Sequence, residues 1–341
     1  MALRFVPYHL LQLRADTPHV IVDGGPLAST ALTLSHWPGS PTPAHLLDDL
    51  SAQIAFHAID HPQVFDTAAG PLEVVSNNHF DQDGLASAFT LVDPHEARCR
   101  RVQLIDVARA GDFATFDDRA SMRIAFALAA WADPDRSPLD PATFHGGYDE
   151  QCGQLYEILL PRVPELLDDV EALRPWWEAE DAHLTESLEA IERGVVTLDE
   201  RPELDLAVVT VPDHWAERIT TRFAINRTEA LHPAAVNAAT DRLRVAVLQG
   251  ERCLVECRYE SWVMFRSRPV RQRPDMRLLA ERLQVLERDD AVWCADGPAA
   301  LTPALRLCTG ETTIDPTQFR DQLERFLATA EPAWDPFAPA W

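Results

Sequence analysis

Lysine is missing from this sequence: all 30 of its basic residues are arginine. That absence excludes several chemistries, because a Walker-type phosphate loop, a Schiff base to a carbonyl or pyridoxal substrate, and the protein-kinase phosphate clamp all need a lysine amine. Cysteine is scarce too, with six residues and no Cys-x-x-Cys pair. Zinc-knuckle and thioredoxin-like frameworks therefore lack their ligand spacing. Cys99, Cys152, Cys253, Cys257, Cys294 and Cys308 lie mostly in apolar stretches and read as buried thiols of a reducing compartment. No apolar run approaches the roughly 18–20 residues of a membrane span, and Arg4, Pro7 and His9 interrupt the stretch where a secretory signal would be apolar. The expectation is a cytoplasmic protein with no membrane association. Positive charge is in deficit, at a formal net charge of −24, which opposes attraction to nucleic acid or anionic lipid. A small substrate is the expected partner, and the oligomeric state is not readable.

What is present describes a globular chain of 341 residues with 46% hydrophobic content, long enough for two domains or one domain with an insertion. Short apolar strands bounded by turn residues are predicted at 20–23, 31–35, 72–76 and 102–105. Helices are predicted from about Leu46 to His57, at 85–92 and at 117–132. Strands alternating with helices predict an α/β class with a largely parallel sheet over residues 1–147. Residues 148–205 read as a helical insertion or linker, broken by Pro161, Pro164 and Pro175 and carrying a solvated acidic face. Strands return at 206–211, 243–249, 252–259 and 292–295, with helices at 233–240, 275–288 and 316–328. Residues 206–341 are thus a smaller mixed α/β domain, expected to bind substrate. Within it, residues 242–282 hold ten arginines against five acids. That patch suits an anionic ligand, and it is expected to face the first domain's candidate site across a cleft.

The strongest chemical signal is His79-Phe80-Asp81-Gln82-Asp83-Gly84, just after strand 72–76. Alternate residues in a loop at the carboxyl end of a parallel strand can converge on one ion, and open α/β sheets place ligands there. Imidazole with carboxylates suits Mn²⁺, Fe²⁺ or Zn²⁺ better than Ca²⁺. The EF-hand pattern is excluded, since Thr90 stands where its glutamate is needed and His79 where it needs aspartate. The competing structural reading is a capping turn for helix 85–92, with Asp83 as the acceptor. His36 and Asp23, each closing a predicted strand, can reach the same sheet edge. For His36 a ligand role and a backbone-bonded role weigh equally, while for Asp23 the backbone-bonded role weighs more.

The run His79-Phe80-Asp81-Gln82-Asp83-Gly84-Leu85-Ala86-Ser87-Ala88 resembles the first motif of the DHH-type phosphoesterases, a strand followed by His-x-Asp-x-Asp-Gly and a small-residue helix. That resemblance implies one or two divalent ions, most plausibly Mn²⁺, activating water for attack on phosphate. It also implies a second-motif aspartate closing the next strand, matched by Asp106, with Asp112 as an alternative ligand. The Asp-His-His motif is missing, and Asp213-His214-Trp215 is its nearest counterpart. Leu231-His232-Pro233-Ala234-Ala235 is loosely similar to the phosphate-binding turn of that superfamily's second domain. Over its full length the chain resembles uncharacterised bacterial proteins that share Leu34-Ser35-His36-Trp37-Pro38-Gly39-Ser40, Ser76 to Gly84, and Arg258-Tyr259-Glu260-Ser261-Trp262.

The expected function is a metal-dependent phosphoesterase-like hydrolase acting on a small anionic phosphorylated substrate. His79, Asp81 and Asp83 are the expected catalytic residues, and His36, His79, Asp81, Asp83, Asp106 and Asp112 the expected metal ligands. His232, Arg258, Arg266 and Arg268 are expected to bind substrate, although Glu260 is close enough in sequence to neutralise one of these arginines. Two alternatives remain open. One is a non-catalytic metal- or ligand-binding protein with a degenerate DHH-like fold. The other is a haloacid-dehalogenase-type phosphatase, in which an aspartate directly after the strand is the nucleophile.

Overall fold

A computed structural model describes residues 2–14, 16–68, 70–216 and 230–338. The fold is α/β and divides into two compact units. The first comprises Met1–Ala179 with Met264–Arg268, and the second Glu180–Val263 with Pro269–Trp341.

The first unit is built on a four-stranded sheet of β1 (Arg4–Phe5), β2 (His19–Val22), β3 (Thr30–Leu34) and β4 (Val74–Ser76). Its spatial order is β1-β4-β2-β3, and every pairing is parallel. β2 is buried along its whole length, which is why His19-Val20-Ile21-Val22 shows no polar alternation: helices cover both faces of parallel sheets. Helix α1 (Ser51–Asp60) starts later than its apolar periodicity suggests. The backbone N–H groups of Ser51 and Ala52 donate to the Asp83 carboxylate, at 2.8 and 2.7 Å. This cap, supplied by a distant residue, fixes the first turn, and Leu46 and Leu50 are buried in the approach to it.

Helix α2 (Gln82–Val92) is buried from Gln82 to Leu91 and packs against α1 and against α3 (Arg101–Asp112). Small residues let the neighbouring helices approach. A Cβ at Gly111 would lie 2.6 Å from Gln82 Cβ. The strand expected at 102–105 is instead the first turn of α3. A four-residue apolar run does not by itself distinguish the two periods. Here Val102 is 83% exposed whereas Leu104, Val107 and Ala108 are buried, the signature of a helix face. Helices α4 (Arg119–Trp131) and α5 (Tyr148–Leu159) complete the part of this unit that bears on the site.

In the second unit, β5 (Thr197–Arg201), β6 (Leu206–Thr210), β7 (Arg244–Gln249), β8 (Arg252–Cys257), β9 (Val292–Ala295) and β10 (Ala304–Thr309) form a mixed sheet of order β9-β10-β8-β7-β6-β5. Only the β6–β7 pairing is parallel. One face carries Val208, Val255 and Leu305 against the helices Arg277–Leu286 and Pro316–Thr329. The six cysteines, expected as buried thiols, are not all thiols. Cys294 and Cys308 lie on the neighbouring strands β9 and β10, with Cα atoms 5.8 Å apart, and are joined as a disulfide. Cys152, Cys253 and Cys257 are free and buried, as expected, whereas Cys99 is free but exposed. Among the described residues, no helix is long and apolar enough to cross a membrane.

Candidate metal centre

Three parallel strands of the first unit deliver their next residues to one edge. β2 ends at Val22 and is followed by Asp23, β3 ends at Leu34 and is followed by Ser35-His36, and β4 ends at Ser76 and leads through Asn77-Asn78 to His79. Carboxyl ends of adjacent parallel strands are where such sheets gather ligands. The backbone bends sharply to do so: Asp23 has φ of 45°, a left-handed conformation that aspartate tolerates better than most residues and that clusters at functional sites. Gly24 follows it because a Cβ there would lie 2.1 Å from Asn78 Oδ1. Two helix ends add the remaining acids, with Asp81 and Asp83 at the start of α2 and Asp112 at the end of α3.

Among the described residues, two groups of side chains have donor atoms within 4.8 Å of one another and could hold a metal ion. They are Asp23 with His79 and Asp81, and Asp23 with His36 and Asp83. Asp23 is common to both. His79 Nε2 lies 2.9 Å from Asp81 Oδ2 and 3.3 Å from Asp23 Oδ2. His36 Nε2 lies 3.4 Å from Asp23 Oδ1, 3.8 Å from Asp83 Oδ2 and 3.4 Å from Asp112 Oδ2. His36 Nδ1 is 2.5 Å from the Asp49 carbonyl oxygen. An acceptor there requires the proton on Nδ1, so the neutral ring turns its Nε2 lone pair toward the three carboxylates, the tautomer a metal ligand needs.

The electrostatics show a cluster short of positive charge. Four carboxylates (Asp23, Asp81, Asp83 and Asp112) surround two imidazoles, and Asp23, His36 and Asp83 are essentially without solvent. Burial raises the Asp83 carboxyl and the neighbouring Asp23 charge raises it further, outweighing the lowering by His36 and the Ala52 N–H. For His79, burial disfavours the imidazolium, but Asp81 and Asp23 overcome it and lift the group to about 10. His36 is raised the same way, with Asp23 and Asp83 prevailing over burial. Asp23 Oδ2 is buried, and beyond its ion pair with His79 Nε2 at 3.3 Å it accepts no hydrogen bond. Buried polar groups almost always have a partner, and buried charges are paired or coordinate metals. The donor set of nitrogen and carboxylate oxygen fits a divalent transition ion.

A capping turn is present with a different acceptor from the one expected, and His79, Asp81 and Asp83 fall within the two groups that could hold a metal ion. Asp81, not Asp83, caps α2, accepting from Gly84 N at 2.8 Å. Asp83 sits in the first turn of α2 and caps α1. A Cβ at Gly84 would come within 2.4 Å of both Asn77 Nδ2 and the Tyr156 hydroxyl, so glycine is needed where α5 and the loop press on the helix start.

Asp106 is corrected. It lies on helix α3, not at a strand end, and its carboxylate accepts from the backbone N–H groups of Asp117 at 2.8 Å and Asp118 at 2.9 Å. It holds the turn that begins α4 and is outside both metal-capable groups. Arg258 is likewise committed elsewhere: buried in the second unit, it pairs with Glu260 and donates to the Thr240 carbonyl at 2.9 Å. His232 is buried and caps the short helix Pro233–Ala239, its Nδ1 accepting from Ala234 N at 3.1 Å. Asp213 and His214 are exposed residues of the second unit.

Arg266 and Arg268 belong to the short segment that folds with the first unit. Met264 N donates to His36 O at 2.8 Å, and the N–H groups of Arg266 and Ser267 donate to Asp49 Oδ1 at 2.5 and 2.9 Å. The chain bearing these arginines is therefore bonded to His36 itself and to Asp49, whose carbonyl orients the His36 ring. Asp23 carries a weaker sequence signal than the loop residues, that of an aspartate after an apolar strand and before a double glycine. Ser51 carries no sequence signal.

Residues 1–337 match the model of a family of unknown function, DUF6687. No curated protein and no solved structure matches the chain.

Proposed function

The chain belongs to the DUF6687 family, whose function is unknown, and we propose that it is a metal-dependent phosphoesterase-like hydrolase acting on a small anionic phosphorylated substrate. The observation that carries the reading is that one buried carboxylate, Asp23, is shared by two imidazole–carboxylate triads at the ends of three parallel strands. Asp23, His79 and Asp81 would hold one ion and Asp23, His36 and Asp83 a second, with Asp112 beside His36. Mn²⁺ suits this mixture of nitrogen and carboxylate oxygen, as do Fe²⁺ and Zn²⁺. When bound, such ions supply Lewis acidity that makes water nucleophilic near neutral pH and offsets charge on phosphoryl oxygens.

The protein's own groups do the rest. Asp49 holds His36 in its ligand tautomer, and the N-terminus of α1 steadies Asp83 through two N–H groups. Arg266 and Arg268 supply the positive charge that an anionic substrate needs beside an acidic centre.

The test is hydrolysis of bis(para-nitrophenyl) phosphate by chelator-stripped protein, with and without added Mn²⁺. Mn²⁺-dependent release of nitrophenol, lost in Asp81→Asn, is expected. Tight metal binding without turnover on any phosphoester supports a second reading, a metal- or ligand-binding protein that has lost catalysis. The missing Asp-His-His motif favours that alternative. A haloacid-dehalogenase mechanism has less support, because Asp81 caps a helix five residues beyond the end of β4 instead of following the strand directly.

A further inference from the structure

We propose that Ser51 is a positioning residue that holds Asp23 in the orientation shared by the two triads, and so couples their two ion sites. The inference rests on the metal reading of the site and adds to it a residue outside the ligand set.

Ser51 is the first residue of α1 and is fully buried. Its hydroxyl donates to Asp23 Oδ1 at 2.8 Å and accepts the His36 backbone N–H at 3.2 Å, while its backbone N–H donates to Asp83 Oδ2 at 2.8 Å. One residue is thus bonded to all three members of the inner triad. The last torsion of an aspartate is broad and nearly two-fold, and since Asp83 is already held by two backbone N–H groups, Asp23 is the member with most freedom to err. With Ser51 Oγ–H fixed on Oδ1, that oxygen stays on the His36 side, 3.4 Å from its Nε2, and Oδ2 is presented to His79 at 3.3 Å. A carboxylate pinned in this way offers one oxygen to each triad. Without the hydroxyl, rotation can turn both oxygens toward either triad, and the His36 N–H loses its acceptor. Partners of this kind, one bond removed from the metal, typically change metal affinity by about 10–100-fold.

Ser51→Ala removes only the hydroxyl, since the Ser51 backbone N–H to Asp83 is retained. The experiment is Mn²⁺ titration of chelator-stripped protein by calorimetry, with electron paramagnetic resonance of the loaded protein and a thermal melt of each variant. Wild type is expected to bind two ions whose spectrum is broadened by mutual coupling. In Ser51→Ala the second ion should bind about 10–100-fold more weakly, and at one equivalent the spectrum should show the resolved hyperfine pattern of an isolated Mn²⁺. Ser51→Thr, which keeps the hydroxyl, should restore coupling. If Ser51→Ala does not fold, Ser51→Cys, with a weaker donor of similar size, is read in its place and should show the same change. Two coupled ions in Ser51→Ala or Ser51→Cys with wild-type affinities overturn the role of Ser51 while leaving the metal site intact. A wild-type protein that binds no ion overturns the metal reading, and this inference with it.

Discussion

Substituting Asp23 by asparagine changes the charge of both triads with almost no change of shape. The amide oxygen can still accept the Ser51 hydroxyl, which now bonds Asp23 Oδ1 at 2.8 Å, so the local turn should persist. What is lost is the carboxylate lying 3.4 Å from His36 and 3.3 Å from His79. Removing one partner of a buried, desolvated charge pair costs about 3–5 kcal/mol. At roughly 1.4 kcal/mol per tenfold in affinity, that is between about two and four orders of magnitude in metal binding. Because Asp23 belongs to both groups, both binding steps should weaken. Asp81→Asn should weaken only the ion at Asp23–His79–Asp81, and Asp83→Asn only the ion at Asp23–His36–Asp83. Calorimetric titration of Mn²⁺ into stripped protein reads each step. Unchanged affinity for both ions in Asp23→Asn refutes the reasoning, and so does an identical defect in Asp81→Asn and Asp83→Asn.

Asp106→Ala should leave metal stoichiometry intact but cost about 1–3 kcal/mol in urea denaturation, because two backbone N–H groups at the start of α4 lose their acceptor; loss of an ion would restore Asp106 as a ligand. Gly84→Ala should destabilise by about 1–3 kcal/mol through overpacking against Asn77 and Tyr156, and a melt equal to wild type would deny that close approach. For metal-free protein the folded state raises His79 from 6.5 to about 10 and raises Asp83 above its ordinary 3.8. It therefore binds more protons than the unfolded chain. Asp83's contribution fades as pH rises above the ordinary carboxylate range, and that of His79, complete below 6.5, fades as pH rises through about 10. The melting temperature in chelator should consequently fall between about pH 5 and pH 10, while Mn²⁺ affinity rises over the same interval; a metal-free melt that rises instead contradicts the assignment.

Much of the site was legible because parallel strands put their next residues in a known place: a reader who finds β2, β3 and β4 has placed Asp23, His36 and His79 on one edge. The helix-end acids were harder. Asp112 was available as an alternative ligand, but Asp106 was misplaced because Val102-Gln103-Leu104-Ile105 is too short to separate strand from helix, and only packing against α2 decides it. The double duty of Asp83, ligand candidate and cap for a helix 31 residues upstream, is a tertiary contact that local pattern does not encode. Ser51 is invisible for the same reason. Arg258 is a milder case, since Glu260 two residues on already suggested the pair that removes it from ligand binding. Strand β10 went unread because Arg306 and Cys308 interrupt its apolar residues, and its partner strands supply the rest of its burial.

The most direct test of the central claim is an anomalous difference map, measured at the manganese absorption edge, from crystals grown with Mn²⁺. The account predicts two peaks in the first unit, one within coordination distance of Asp23, His79 and Asp81 and one within coordination distance of Asp23, His36 and Asp83. A map with no peak at Asp23, from crystals saturated with Mn²⁺, contradicts it.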